Sequence, residues 1–242
     1  MKIDDLYYAH QTKIRGVINK RELIDLCENE SLRIKKVLKK ELDELRKSKV
    51  TVLDIPCGYG NLLHLYASIG IEAVGYDLDQ NQVNLARSIS LNAMVSSIEN
   101  LDLVHNSFSA ISSFDFLEHI SKEDIPTVLN KFNNWLKPGG FLFLRMPCAD
   151  SPMGLRDFAE DPTHKWIATS SCMNSLLTIF GFEDIKCYED WPRPKKLYYL
   201  RNYVAKFLRF FLRLFLFFTG FTGYSKPLSS SMIIIARKKL NV

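Results

Sequence analysis

With 242 residues, 47% apolar and 24% charged, the chain has room for one well-buried core and not for two full domains. Its five cysteines (Cys27, Cys57, Cys148, Cys172, Cys187) are scattered, odd in number and never spaced CxxC, which argues against both a disulfide framework and a zinc site and fits a reducing cytoplasm. The net charge of +5 is unevenly spread: all 27 acidic residues precede Trp191, whereas eleven of the 32 Lys/Arg follow it, so an acidic body carries a basic tail suited to an anionic partner.

Neither a basic-then-apolar leader nor an apolar run of about 18 residues occurs, so no secretory signal or spanning helix is expected. Residues 1–49 read as a helical N-terminal segment, with Ile34, Leu38, Leu42 and Leu45 on one face. Residues 50–242 read as one α/β domain. A buried strand is expected over 50–55, ended by Pro-Cys-Gly, then a helix over 61–69 and a strand over 71–77. Asp79 with Gln82 three residues on predicts a capping box opening a helix to Ser88. Short strands follow over 92–96 and 108–113. Ser121 with Asp124 introduces a helix to Leu136, and Lys137-Pro-Gly-Gly140 reads as a turn into a strand over 141–146. A long loop spans 147–165, a helix 170–180 ends at Gly181, and strands are expected over 182–188 and 232–237. This alternation implies a doubly wound, mainly parallel sheet, a Rossmann-like architecture, with a helical insertion at 193–227 before the last strand.

The run Val52-Leu-Asp54-Ile-Pro-Cys-Gly58-Tyr-Gly60 is a strand, a glycine turn and a helix start. In an open α/β sheet, ligands sit at the carboxyl ends of strands near the topological switch point. Gly58 and Gly60 let backbone approach a ligand closely, because a Cβ there would collide with it. Pro56-Cys57 replaces the first glycine of the dinucleotide fingerprint, which disfavours a pyrophosphate cofactor. Asp77 ends the next strand, about twenty residues on, where a carboxylate can hold ribose hydroxyls.

With Val74-Gly-Tyr-Asp-Leu-Asp79, the Phe108–Ile120 segment ending in Glu118-His119-Ile120, and Leu136-Lys-Pro-Gly-Gly-Phe-Leu142, four motifs stand in an order that resembles the class I S-adenosylmethionine (SAM)-dependent methyltransferases. The resemblance covers about residues 48–190. It implies SAM as cofactor, with Asp54 and the turn of Pro56, Gly58, Tyr59 and Gly60 facing its amino-acid end. It further implies Asp77 on the ribose, Leu78 on the adenine, Ser97 and Ile98 flanking the ring, and Phe114 lining the pocket below. Ser97 stands where many relatives carry an acid, and Ser109 replaces the usual Asp of a Phe-Asp pair.

Methyl transfer from a sulfonium is an in-line displacement that needs an aligned nucleophile and, for a hydroxyl, a proton acceptor. His10, His64 and His105 sit in no motif. His119 follows the fourth strand beside Glu118, either near the chemistry or as a loop-tying hydrogen bond. His164 closes Asp161-Pro-Thr-His164 in a loop placed over the mouth of such a site, so His164 is expected as general base and Asp161 as its orienting partner. From Pro147-Cys-Ala-Asp-Ser-Pro-Met-Gly154 to His164, this loop resembles one in methyltransferases encoded with bacterial surface-polysaccharide enzymes. No His/Cys/Asp/Glu cluster has metal-ligand spacing on one helix or loop, so no metal is expected, although one assembled from distant residues stays open.

In the insertion, 197–219 reads as a helix with Asn202, Lys206, Arg209 and Arg213 as a polar stripe amid phenylalanines and leucines. That composition suits peripheral contact with an anionic membrane at its cytoplasmic inner face, or packing on the chain's own domain or a second subunit. Nucleic acid is disfavoured, because stacking platforms are sparser and more basic. The expected acceptor is a small molecule, a glycan or a lipid-linked precursor, with methylation of a surface-glycan sugar placed first. A prenylated quinone or lipid is the alternative enzyme substrate, and a non-catalytic SAM-binding membrane partner the alternative class.

Overall fold

The computed structural model describes residues 19–190, 199–220 and 226–240. The helical expectation for 1–18 and the edges of the insertion at 193–198 and 221–225 lie outside them. Asn19 opens helix α1 (Lys20–Val37) with a capping box: its side chain accepts from Glu22 N–H while Glu22 reaches back to the Asn19 N–H. The chain bends at Leu38 into α2 (Lys39–Leu45). Ile34, Leu38, Leu42 and Leu45 are all buried, as their spacing required.

The alternation expected over 50–190 is present: β1 (Thr51–Asp54), α3 (Asn61–Ser68), β2 (Glu72–Asp77), α4 (Gln80–Ser88), β3 (Ala93–Val95), β4 (Phe108–Phe114), a 3₁₀ turn (Leu117–His119), α5 (Ile125–Trp135) and β5 (Leu136–Pro147). Then come α6 (Pro152–Glu160), α7 (Ser170–Ile179), β6 (Phe182–Glu189), α8 (Tyr199–Phe218) and β7 (Ser231–Lys238). The seven strands form one sheet in the order β3-β2-β1-β4-β5-β7-β6, parallel except for β7, which runs antiparallel to both neighbours. β1 and β4 are adjacent although β2 and β3 intervene in sequence. The chain therefore reverses its direction of winding between them, and the switch point lies just beyond Asp54.

Alternate residues of the central strands feed two cores. Leu53, Ile111, Leu142 and Leu144 pack with Leu129, Phe132 and Trp135 of α5 and with Met173 and Leu177 of α7. On the other face Val52, Ala110, Phe141 and Phe143 meet the α1–α2 stripe together with Leu62, Leu65 and Tyr66 of α3. Both faces of the strands are covered, which is why they read as continuous apolar runs. Burying each such leucine or phenylalanine contributes about 1.5–3 kcal/mol.

Three local expectations are corrected. Lys137-Pro-Gly-Gly140 does not separate helix from strand; β5 begins at Leu136, opposite Phe108, and these residues form a bulge before Phe141 pairs with Ala110. Asp79 caps α4 by accepting from Asn81 N–H (2.8 Å), without the reciprocal bond from Gln82. The loop at 147–165 contains α6, which Ser151 caps by accepting from Met153 N–H (3.2 Å). Gly154 lets α6 lie on the preceding strand end, since a Cβ there would stand 1.9 Å from the Cys148 carbonyl oxygen.

Candidate functional site

The carboxyl ends of β1, β2 and β4 converge at the switch point, and the side chains there are tied to the glycine turn. Cys57 N–H donates to the Tyr76 carbonyl (2.9 Å), and Gly58 N–H donates to Asp77 Oδ2 (2.7 Å). Asp79 N–H donates to Asp77 Oδ1 (2.8 Å). Asp77 thus closes the β1–α3 turn onto the end of β2, and each oxygen keeps a second lone pair for a hydroxyl. Burial raises its proton affinity, and the two N–H donors oppose that shift.

The two glycines differ in what they require. Both have left-handed backbones (φ +52° and +90°). At Gly58 no atom lies within 4 Å of where a Cβ would stand, so the space above it is open to a ligand. At Gly60 a Cβ would meet Leu91 Cδ1 at 2.5 Å and Ala86 at 3.1 Å. The ligand argument therefore holds for Gly58, whereas Gly60 is glycine because α4 and the chain behind it press on the turn. Pro56 and Tyr59 are half-buried members of the same turn, and Leu78 beside Asp77 is 73% exposed, an apolar face available for a ring.

Two expected positions are redirected. Ile98 is buried in the core with α5, so only its backbone can flank a ring; Ser97 beside it is half-buried. Phe114 is buried in the opposite core, under the Arg145 guanidinium at 5.1 Å. It supports the end of β4 more than it lines open space.

Asp54 lies beneath the turn, 1% exposed. Its Oδ1 accepts from Ser112 Oγ at 2.5 Å, and its Oδ2 is buried with no hydrogen-bond partner among the described residues. Burial pushes its pKa up to about 8; the Ser112 bond opposes this and the Asp77 charge adds to it. The native state therefore prefers protonated Asp54, so stability is fullest below the ordinary carboxylate range and falls as pH rises toward 8. Buried Asp77, Glu118 and Asp190 act in the same direction. The ligand-free protein should melt at lower temperature at pH 8 than at pH 5. The Asp54→Asn variant should flatten that slope by up to about 1.4 kcal/mol per pH unit; an unchanged slope in thermal melts would rule out the Asp54 assignment.

The second half of the site assembles from residues far apart in sequence. Lys165 N–H donates to the Glu118 carbonyl (2.7 Å), and Trp166 Nε1–H to the Leu117 carbonyl (2.6 Å), stitching the loop after α6 to the 3₁₀ turn after β4. This places the His119 and His164 rings 4.7 Å apart. One donor atom each from Glu118, His119 and His164 lies within 4.8 Å of the other two.

The hydrogen bonds around the rings correct one expectation. Asp161 does not orient His164. Asp161 Oδ1 accepts from Thr163 N–H (2.8 Å) and Thr163 Oγ1–H (2.6 Å), and Thr163 Oγ1 lies 2.8 Å from His119 Nδ1. Because the Thr163 hydrogen is committed to Asp161, its oxygen accepts, so His119 Nδ1 carries the proton. His164 Nδ1 instead lies 3.1 Å from the Phe158 carbonyl, which can only accept, so it too is protonated at Nδ1. With the hydrogen on Nδ1 in each, it is Nε2 that offers the lone pair when a ring is uncharged. Burial, and then the neighbouring His164, lower the proton affinity of His119.

Glu118 is 1% exposed, and its Oε2 has no hydrogen-bond partner among the described residues. Burial, with the Asp115 charge second, raises its pKa well above the usual carboxylate value; Arg145, ion-paired with Asp115, opposes this. Thr163 is a site residue that the sequence did not mark, whereas Glu118 stood in it only as the neighbour of His119. The Glu-His pair was a visible signal for Glu118; nothing local marked Thr163.

Of the polar stripe expected on helix α8, the side chains of Asn202 and Lys206 lie outside the described residues. Arg213 is turned inward: its Nη2 is 2.5 Å from Glu189 Oε1 at the end of β6, and its Nη1 donates to the Lys226 carbonyl (3.0 Å). Arg209 is half-buried, and Leu216 is buried on the same side. Outward stand Phe207, Phe210, Phe211, Phe215 and Phe218, the last 79% exposed. Arg213 therefore helps dock the helix, and the phenylalanines form the open face. Among the described residues, no helix is long and apolar enough to cross a membrane. A cleft of about 400 Å³, lined in part by Lys40, Glu183 and Arg237, lies at the opposite, amino-terminal edge of the sheet and includes none of the site residues.

Residues 27–186 match the family model of a methyltransferase domain. Phosphoethanolamine N-methyltransferase 1 of Triticum aestivum is 30% identical over 120 residues, 47% of this chain and 24% of that protein. Ubiquinone biosynthesis O-methyltransferase of Xanthomonas campestris is 34% identical over 100 residues, 38% of this chain and 41% of that protein. The chain thus spans about a quarter to two fifths of the curated relatives' length. Among solved structures, a SAM-dependent methyltransferase from Archaeoglobus fulgidus superposes with a TM-score of 0.64 at 22% identity, covering 96% of this chain and 99% of that one. A second, from Mesorhizobium loti, gives 0.60 at 16% identity, covering 83% and 97%. These likenesses establish the fold.

Proposed function

The chain belongs to the methyltransferase-domain family, and from that premise we propose that it transfers the methyl group of SAM to an oxygen of a small or lipid-linked acceptor. The observation that carries this reading is the turn in which Gly58 N–H is held on the Asp77 carboxylate beneath open space, beside exposed Leu78. Asp77 would hold the ribose, Leu78 the adenine, and the turn from Pro56 to Gly60, over Asp54, the amino-acid end. SAM supplies an electrophilic methyl on a sulfonium. The chain must bind the acceptor in line and lower the proton affinity of its oxygen. We assign that task to Glu118, His119 and His164, with Asp161 acting on His119 through Thr163.

A glycan sugar or its precursor is the acceptor we place first, on the resemblance of the loop from Pro147 to His164. A prenylated quinone is the second reading. It is favoured by the similarity to the Xanthomonas ubiquinone-pathway enzyme and by the aromatic face of α8, either of which suits a lipid-borne acceptor. The test is calorimetric titration with SAM, followed by mass spectrometry of products from nucleotide sugars and from isoprenoid hydroquinones. One-to-one SAM binding with a product 14 Da heavier in one arm is the expected result (about 14 Da is one methylene); absence of SAM binding overturns the reading.

We also propose that α8 seats the protein on the inner face of the cytoplasmic membrane. A broad aromatic face beside a basic tail fits an interfacial helix. Since Arg213 points inward, insertion rests mainly on the phenylalanines. Wild-type protein should sediment with liposomes, and serine at Phe207, Phe211 and Phe215 together should lower bound protein at least about tenfold. Equal sedimentation of the two proteins would sink the membrane reading.

A further inference from the structure

From the convergence of a buried carboxylate and two imidazoles at one point, we infer that Glu118, His119 and His164 form a binding site for a divalent transition cation of the zinc or iron(II) class. This deepens the proposed function, on which it rests for its role. Three observations carry it. One donor atom from each residue lies within 4.8 Å of the others, close enough for small shifts to bring all three onto one ion. Glu118 is buried with an oxygen that has no hydrogen-bond partner among the described residues, an unfavourable arrangement for a carboxylate unless a positive charge faces it. Both histidines commit Nδ1–H to an oxygen acceptor, one to Thr163 backed by Asp161 and one to the Phe158 carbonyl. That is how metal-bound imidazoles are fixed, leaving Nε2 as the ligand atom.

Two nitrogens and one carboxylate suit zinc, iron(II) or cobalt(II) over magnesium or calcium, which prefer all-oxygen sites. His119 and His164 are only half-buried, so positions on the ion remain for an outside ligand. An acceptor hydroxyl bound there would lose its proton to water more readily, as metal-bound water does. The three side chains would then act on the acceptor oxygen through the ion. The sequence could not show this cluster: Glu118 and His119 are neighbours, but His164 arrives from 45 residues on.

The full chain, stripped with a chelator, should bind one equivalent of cobalt(II), seen as visible d–d absorption that zinc(II) abolishes. Glu118→Gln and His164→Ala should each weaken binding at least about tenfold, and Thr163→Val, which loosens only the outer support, should weaken it to a smaller extent. Circular dichroism and SAM titration of the same samples report the fold. Should His164→Ala not fold, the near-isosteric Glu118→Gln decides alone. Absence of cobalt absorption in the wild type, or undiminished binding in a folded Glu118→Gln, overturns the inference. Protein that binds cobalt through these residues but not SAM supports the cation site while removing methyl transfer.

Discussion

Replacement of Asp77 by alanine is expected to weaken SAM binding by roughly 100-fold or more, the equivalent of about 2.7 kcal/mol. The carboxylate is at once the acceptor for Gly58 and Asp79 N–H and the group we place on the ribose hydroxyls. Hydrogen bonds to a charged group contribute about 1.5–3 kcal/mol each, so losing two from the ligand alone reaches that figure. The turn suffers as well, because Gly58 loses the acceptor that aims its backbone. Global stability should change little, since a carboxylate strained by burial is removed along with its bonds. Calorimetry beside thermal melts separates the two effects. SAM affinity within threefold of wild type would remove Asp77 from the site and with it the main support for the cofactor geometry.

His164→Ala should lower the turnover number by about 10²–10⁴-fold while leaving SAM affinity within threefold. An acceptor hydroxyl holds its proton tightly near neutral pH, and His164 stands 4.7 Å from the His119 ring with its lone pair on Nε2. Asp161→Ala should cost less, because its influence reaches only His119 and passes through Thr163. Steady-state kinetics on whichever acceptor the product screen identifies gives both numbers. Unchanged turnover in His164→Ala, with SAM still bound, would remove His164 from the proton-accepting role; SAM binding by the wild type with no methylated product in any arm would favour a protein that binds SAM without catalysing transfer.

Much of this architecture was legible in the sequence, because the signals are local. The apolar run ending in Asp54, the glycine turn and the carboxylate at Asp77 lie within about 25 residues, and strand burial, turn chemistry and helix caps act over that range. The same holds for the stripe from Ile34 to Leu45, whose period alone dictates which face is buried. Where a side chain points in a loop is another matter. Asp161 and His164 are three residues apart, so pairing them was natural, but α6 docks through Gly154 on Cys148 and turns His164 toward Phe158 instead. The cluster with Glu118 exists only because Lys165 and Trp166 bond to the turn after β4. Arg213 belongs to Glu189 for the same reason: a helix pattern says which residues share a face, and packing chooses what that face meets. Sequence alone thus determined the winding of the sheet and the glycine turn after β1, set by short-range periodicity and turn chemistry. The meeting of Glu118, His119 and His164 and the orientation of α8 were decided by hydrogen bonds between distant segments, whose partners become neighbours only once the sheet has formed.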